Sequence, residues 1–323
     1  MSVTFVVPFY NAAATLETCL RSLQEQDAPQ WTCLCVDDGS TDDGANIVRR
    51  FMEKDGRFSL LRQENQGVAE ARNRGMDKVE GSYLSFVDAD DCLLPHAVSS
   101  FYEAAKNAPD VVVGNILHVD RKGASPFYSH LEEKAETLSS LLELFCLQYI
   151  HAKFYRTAFL RENGVRFPAL HVYEDEYFTT EVLLKAEKIE TVGSPLYRYC
   201  FNPRSLTNER GRSLLKKKNR LESAILKQTL SAEARAHGAL WKQALDISCL
   251  EAACEAFSSL SREPQTKREL LEMAHALAAT LEPLPWGRFP RLTAYALLAE
   301  AFRHKSPALL AVGRKMKKLF PLL

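Results

Sequence analysis

Glycine is missing where a dinucleotide-binding fold would need it. The turn after the first apolar run reads Pro8-Phe9-Tyr10-Asn11-Ala12-Ala13-Ala14, without a glycine-rich fingerprint, which argues against a nicotinamide cofactor. Cysteine is present but unpatterned: Cys19, Cys33, Cys35, Cys92, Cys146, Cys200, Cys249 and Cys254 make no CxxC pair and no ladder of zinc spacing. Reduced core thiols are therefore expected. An excess of one charge is also lacking, with 41 basic and 41 acidic residues among 323, which argues against a surface built throughout for nucleic acid. No stretch of ~18 uninterrupted apolar residues occurs, and Met1-Ser2-Val3-Thr4 opens with neither a basic n-region nor a long apolar h-region. A cytoplasmic chain without a spanning helix is the expectation. Internal repeats and low-complexity tracts are absent from the sequence.

What is present is an alternation of short apolar runs with helical spacing. Val3 to Val7 reads as a strand, and Leu16, Cys19, Leu20 and Leu23 mark a helix after it. Thr32 to Val36 and a helix from about Thr41 carrying Ile47, Val48, Phe51 and Met52 repeat the pattern. Phe58 to Leu61, a helix near Val68 to Val79, Ser82 to Val87, a helix over Pro95 to Asn107 and a strand at Asp110 to Val113 continue it. Such alternation implies right-handed crossovers, hence an α/β fold with a mostly parallel sheet flanked by helices. Residues 116–207 are less regular, with an apolar helix at Leu138 to Leu147 and another opening at Glu174-Asp175-Glu176. Beyond them Leu214 to Leu230, Ala232 to Leu260, Lys267 to Leu281 and Ala294 to Phe302 read as helices. Three regions follow: 1–115, with the pattern of a nucleotide-fold half; 116–207, a less regular continuation of the same domain; and 208–323, a helical region.

Two acid groups stop two of the strands. Asp37-Asp38-Gly39-Ser40-Thr41-Asp42 reads either as a loop whose side chains cap the next helix or as part of a ligand site. With a proline and an aromatic at the first turn, the second reading holds a flat base: Tyr10 packs on it and Asp38 accepts its ring N–H. Asp88-Ala89-Asp90-Asp91 fits the acid-rich start of a helix, favoured by the macrodipole, but three clustered acids repel unless they share a cation. Carboxylates at the ends of parallel strands lie where open α/β sheets bind ligands, and such hard oxygens suit Mg²⁺ or Mn²⁺. An EF-hand is excluded because its glycine and distal glutamate are missing, and an Asp-x-Asp-x-Thr phosphatase meets Cys92 at the Thr position. In Asn65 through Gly75, small Ala69 shares a helical stripe with Arg72 and lets that guanidinium reach inward, although a solvated arginine is the commoner outcome. Glu174-Asp175-Glu176 is either a helix start or the place of a carboxylate that takes a proton from an attacking hydroxyl.

On these stretches the chain resembles glycosyltransferase family 2, the GT-A fold of inverting nucleotide-sugar transferases. Val6 to Asn11, Val36 to Asp42, Asn65 to Gly75, Phe86 to Asp91 and Tyr173 to Asp175 carry the resemblance over about residues 1–207. It implies a hexosyl- or N-acetylhexosaminyltransferase that uses a nucleotide sugar, usually a UDP-sugar, and Mn²⁺ or Mg²⁺. The acceptor would be a saccharide or lipid-linked hydroxyl, in cell-surface polysaccharide synthesis. By the same resemblance Pro8, Tyr10 and Asp38 bind the base and Arg72 sits at the nucleotide. Asp90 holds the cation, and Asp88 the ribose or the same cation. Asp175 is the catalytic base, oriented by Glu174. Pro195 to Tyr199 with Asn202 to Thr207, including Arg204 and Ser205, is similar to the family's lid over the donor phosphates. Ala152 stands where many members carry Asn. The alternatives are a nucleotidyltransferase, which would need a glycine-rich phosphate loop and a lysine in the first turn, and a non-catalytic sugar-nucleotide binder.

The end of the chain is basic and apolar together. Residues 284–323 hold eight Arg or Lys against Glu300 alone, with Arg314, Lys315, Lys317 and Lys318 among leucines. Residues 308–323 read either as a solvated helix end or as a segment that docks peripherally on an anionic cytoplasmic leaflet.

Overall fold

The computed structural model describes residues 1–120, 123–127, 149–200, 202, 213–258 and 264–281. The chain divides into two compact units, Met1–Glu133 with Gln148–Ser205, and Lys134–Leu147 with Leu206–Leu323. In the first unit strands and helices alternate: β1 (Val3–Phe9), α1 (Ala13–Gln24), β2 (Trp31–Asp37), α2 (Gly44–Lys54), β3 (Phe58–Arg62), α3 (Val68–Lys78) and β4 (Tyr83–Phe86). Every residue of β1 is buried, so it is apolar without alternation, as a parallel strand covered on both faces must be. The helices bury one stripe each, Leu16, Cys19, Leu20 and Leu23 in α1 and Ile47, Val48 and Phe51 in α2. A Cβ on Gly75 of α3 would stand 2.4 Å from Val6 Cγ1, so only glycine lets this helix lie so close to β1.

After β4 come β5 (Cys92–Leu93), α4 (Ala97–Ala104), β6 (Val111–Asp120), β7 (Gly123–Phe127), β8 (Lys153–Arg156), α5 (Thr157–Glu162), α6 (Glu174–Lys185) and β9 (Ile189–Cys200). One sheet runs β3-β2-β1-β4-β8-β6-β9-β5, with β7 paired to β6. It is parallel from β3 to β4 and mixed beyond: β8 opposes β4 and β6, while β9 runs with β6 and against β5. The parallel half is the one with a helix between successive strands, as parallel crossovers require. Its registers, Phe9↔Asp37 and Val6↔Phe86, bring the Tyr10 turn, the Asp37-Asp38 loop and Asp88 to one sheet edge.

Two expectations change here. Pro195 to Tyr199 is no loop: it lies inside β9, where Leu196 and Tyr197 are fully buried and β9 is paired on both sides. Arg204 and Ser205 lie outside the described residues. In the second unit, α7 (Ser213–Lys227), α8 (Ser231–His237), α9 (Ala239–Ser258) and α10 (Pro264–Thr280) follow one another. The single helix expected from Ala232 to Leu260 breaks at Gly238, whose φ of 118° no helix accommodates. This unit buries Leu221, Ala224, Leu245, Ile247 and Leu250 together with a Lys242–Asp246 ion pair. No helix among the described residues is long and apolar enough to cross a membrane. The helices expected at 138–147 and 294–302, and the basic segment 308–323, lie outside the described residues.

Candidate functional site

The first wall of the site is a pair of interlocked loops. Asn11, in the left-handed region with φ 50°, accepts on Oδ1 from Thr41 N at 2.8 Å and donates its own amide to Ser40 Oγ at 3.0 Å. Ala13 N donates to Asp42 Oδ2 at 2.8 Å, tying the start of α1 to the same loop. Asp37, fully buried, accepts from Ser40 N at 2.8 Å and pairs with Arg62 Nε at 2.7 Å. Asp38 reaches the other way, accepting from Gln63 Nε2 at 2.7 Å, Gln66 N at 2.9 Å and Gly67 N at 2.9 Å. These donors fill three of the roughly four lone-pair positions of the carboxylate, leaving room for one ligand donor. Pro8 is buried in β1, whereas the Tyr10 ring is 52% exposed beside the loop.

The second wall is a chain of buried charges behind the end of β4. Arg72 of α3 donates from Nη2 to Asp88 Oδ1 at 2.9 Å and from Nη1 to Glu174 Oε1 at 2.5 Å. Its Nε is buried without a partner among the described residues, and its guanidinium stands 5.4 Å from the Phe167 ring. Phe167 in turn stacks on Phe178 at 4.0 Å, with Phe86 edge-on to both, so an apolar block fixes the arginine from below. The other Asp88 oxygen meets His151 Nε2 at 2.9 Å. Burial raises the Asp88 pKa, but His151 and Arg72 outweigh it and hold this carboxyl well below the usual range. Burial likewise opposes the His151 cation, yet the Asp88 charge wins and lifts its pKa. Asp91 accepts from Tyr197 Oη at 2.7 Å and Cys200 N at 2.7 Å, and burial pushes it up to about 7. Asp90 is half-buried and accepts from Asn202 Nδ2 at 2.9 Å; burial and the neighbouring Asp88 raise its pKa.

The third wall is the start of α6. Tyr173, with φ 68°, turns the chain into the helix, and Glu174, Asp175 and Glu176 fill its first turn. Burial, then the charges of Glu174 and Glu176, raise Asp175 to about 7. Lys153 of β8 is 2% exposed and donates to the Tyr149 carbonyl; burial lowers its pKa to about 7, against the opposing pull of Asp175. Ala152, with φ 54°, separates it from His151. Two of the four left-handed non-glycine residues among those described thus flank the acid network, in line with backbone strain collecting at functional sites.

The donor set fits a hard divalent cation. Ligand atoms of Asp88, Asp91 and His151 lie within 4.8 Å of one another. Asp90 stands outside this trio, one of its oxygens bound to Asn202.

A sequence model for Glycosyl transferase family 2 matches residues 4–167, half of the chain and nearly all of the sheet edge just described. The chain belongs to that family. EpsH of Bacillus subtilis (strain 168) is 27% identical over 207 residues, which cover 61% of this chain and 60% of EpsH. Glycosyltransferase GlyA of Streptococcus pneumoniae serotype 4 is 28% identical over 290 residues, 83% of this chain but 41% of GlyA. The chain thus spans less than two thirds of either relative. Among solved structures, Staphylococcus aureus TarS 1–349 in complex with UDP-GlcNAc superposes with a TM-score of 0.76 at 21% identity, covering 99% of this chain and 92% of that one. The shared architecture is the GT-A fold.

Of the family residues expected from the sequence, Asp38, Arg72, Asp88, Asp90, Glu174 and Asp175 fall in these three walls, with Pro8 and Tyr10 at the first. Arg72 pairs with both Asp88 and Glu174. His151 and Lys153 drew no assignment from the sequence, and Asp91 was grouped with the clustered acids without a role of its own. Their signal was a cation pair separated by one residue on a short apolar run, and a third acid in a row of which only two were assigned.

Proposed function

We propose that this protein is an inverting glycosyltransferase that moves a hexosyl or N-acetylhexosaminyl unit from a UDP-sugar to a hydroxyl of a saccharide or lipid-linked acceptor. The observation that carries the reading is Arg72 tying Asp88, at the end of β4, to Glu174, next to Asp175 at the start of α6. One cation thereby holds a donor-side acid and the acceptor-side acid pair in fixed relation. The complexes of TarS with UDP and UDP-GlcNAc support a UDP-sugar as donor.

Tyr10 packs on the base and Asp38 accepts its ring N–H, as the exposure of one and the spare lone pair of the other allow. Asp88 and Asp90, with Asp91 and His151 beside them, would hold Mn²⁺ or Mg²⁺. That cation supplies charge stabilisation for the leaving diphosphate. Asp175 takes the proton of the acceptor hydroxyl. The oxygen attacks the anomeric carbon from the face opposite the diphosphate, the carbon–phosphate-oxygen bond breaks, and configuration inverts. A pKa near the working pH suits a general base, which contributes on the order of 10²- to 10⁴-fold. Residues 1–115 bind the donor, 116–207 the acceptor, Arg204 and Ser205 close over the phosphates, and 308–323 bring the protein to an anionic membrane surface. Cell-surface polysaccharide synthesis accommodates this arrangement. Incubation with UDP-glucose, UDP-galactose and UDP-GlcNAc in Mn²⁺ should release UDP from one of them, faster with acceptor. No release from any, with no UDP binding, overturns the proposal.

A further inference from the structure

Cys92 follows Asp88-Ala89-Asp90-Asp91 directly and opens β5, where it pairs across the antiparallel ladder with Arg198 of β9. Cys200 lies two residues beyond Arg198 on the same face of β9, diagonal to Cys92. The two side chains share one face beside Arg198, whose Nη2 lies 3.1 Å from Cys92 Sγ and whose carbonyl oxygen accepts from Cys200 Sγ at 3.9 Å. Both cysteines are free; Cys92 is buried, and Cys200 is partly open to solvent. Cys33 and Cys35 offer the contrast: their sulfurs stand 3.7 Å apart but are fully buried in the core.

We propose that Cys92 and Cys200 form a reversible thiol–disulfide pair, oxidised by hydrogen peroxide, that disables the acid cluster of the donor site. Peroxide is small enough to enter beside the partly open Cys200. The Cys92 sulfur takes one peroxide oxygen, becoming a sulfenic acid, and one water leaves. Arg198 stabilises the negative charge on that sulfur as it attacks. The Cys200 sulfur then attacks the sulfenic sulfur and gives up its proton, an S–S bond forms, and a second water departs. Two thiols thus lose two electrons and two hydrogens, and one H₂O₂ becomes two waters.

The consequence follows from what rides on the end of β9. Diagonal neighbours across a ladder stand about 7–8 Å apart, wider than the Cα spacing a disulfide spans, so closing the bond draws the Cys200 end of β9 toward β5. Its amide is the donor to Asp91 Oδ1, and Asn202, two residues on, is the donor to Asp90 Oδ2. Closing the disulfide displaces both acids' partners together; its effect on UDP rests on the donor-site reading given above.

The test treats the full chain with equimolar peroxide, blocks residual thiols by alkylation and maps peptides, with UDP affinity measured in Mn²⁺ before and after. A Cys92–Cys200 linked peptide is expected, reversed by dithiothreitol, with UDP affinity falling at least ~10-fold and returning on reduction. Cys200→Ser, which keeps the main-chain donor to Asp91, should give no linked peptide and leave a dimedone-reactive sulfenic acid at Cys92. The proposal is overturned if no linked peptide forms at a dose that oxidises a free-cysteine peptide, or if the linked protein binds UDP undiminished. Reduced protein that binds no UDP would defeat the donor-site reading, and the linked peptide would still decide the disulfide.

Discussion

The raised pKa of Asp175 makes a quantitative demand on the pH dependence of transfer. A general base acts only when ionised, so a pKa raised to about 7 means that activity is lost as pH falls through 7 and reaches a plateau above it. With an ordinary aspartate, at about 3.8, kcat/KM would be nearly flat from pH 5 to 8. With Asp175 at about 7, roughly 1% of the base is ionised at pH 5, so kcat/KM there should be ~100-fold below its plateau. The physical causes predict how to move that limb. Burial comes first and survives a conservative change; the Glu174 charge comes next and can be removed. Glu174→Gln keeps the shape and deletes the charge, so the acid limb should shift to lower pH. Asp175→Asn should remove the base and lower kcat by at least ~10²-fold while leaving UDP affinity near wild type. The assay is UDP release at saturating Mn²⁺ from pH 5 to 8.5, with UDP binding followed over the same range. Because Asp91 also lies near 7, the Glu174→Gln shift is the deciding arm. A flat profile in the wild type, or a limb that Glu174→Gln leaves in place, would refute the assignment of the base.

Three further outcomes are expected. Asp90→Asn should abolish turnover and metal-dependent UDP binding with the thermal transition unchanged, since Asn keeps the volume and loses the charge; full activity in excess EDTA would count against the metal. Arg72→Met strands Asp88 and Glu174 without their shared cation, and should destabilise the fold by about 3–5 kcal/mol in urea unfolding. Gly75→Ala drives a methyl to within 2.4 Å of Val6 Cγ1 and should cost about 1–3 kcal/mol in the same experiment, whereas an ordinary helix-interior Gly→Ala would stabilise.

The parallel half of the sheet was legible because its signals are local. β1, β2 and β3 are short apolar runs that stop at turn residues, and the buried stripes of α1 and α2 lie at the spacing that named them. β8 and β9 were not legible. β9 carries Gly193, Pro195 and Arg198 within a twelve-residue strand and is buried only near Leu196 and Tyr197, so it has neither a clean alternation nor a continuous apolar run. The break at Gly238 was missed because one glycine in a long helical pattern does not declare its φ. In the site, the acids could be found but not their partners. Nothing local to Arg72 says that it will meet Glu174, 102 residues away. His151 and Lys153 were hidden for a similar reason: the left-handed Ala152 between them is a conformation that alanine does not advertise.

The Arg72 strut also has a thermodynamic consequence. Arg72 pairs with both Asp88 and Glu174, and under the proposed function these serve different binding events, Asp88 the donor and Glu174 the neighbourhood of the acceptor. A ligand that draws on the Asp88 charge leaves Arg72 more fully to Glu174, and an acceptor that engages Glu174 returns it to Asp88. Linkage is reciprocal, so whatever factor the donor applies to acceptor affinity the acceptor must apply to donor affinity. Under the proposed function, the two substrates would not bind as strangers; they would negotiate through one guanidinium.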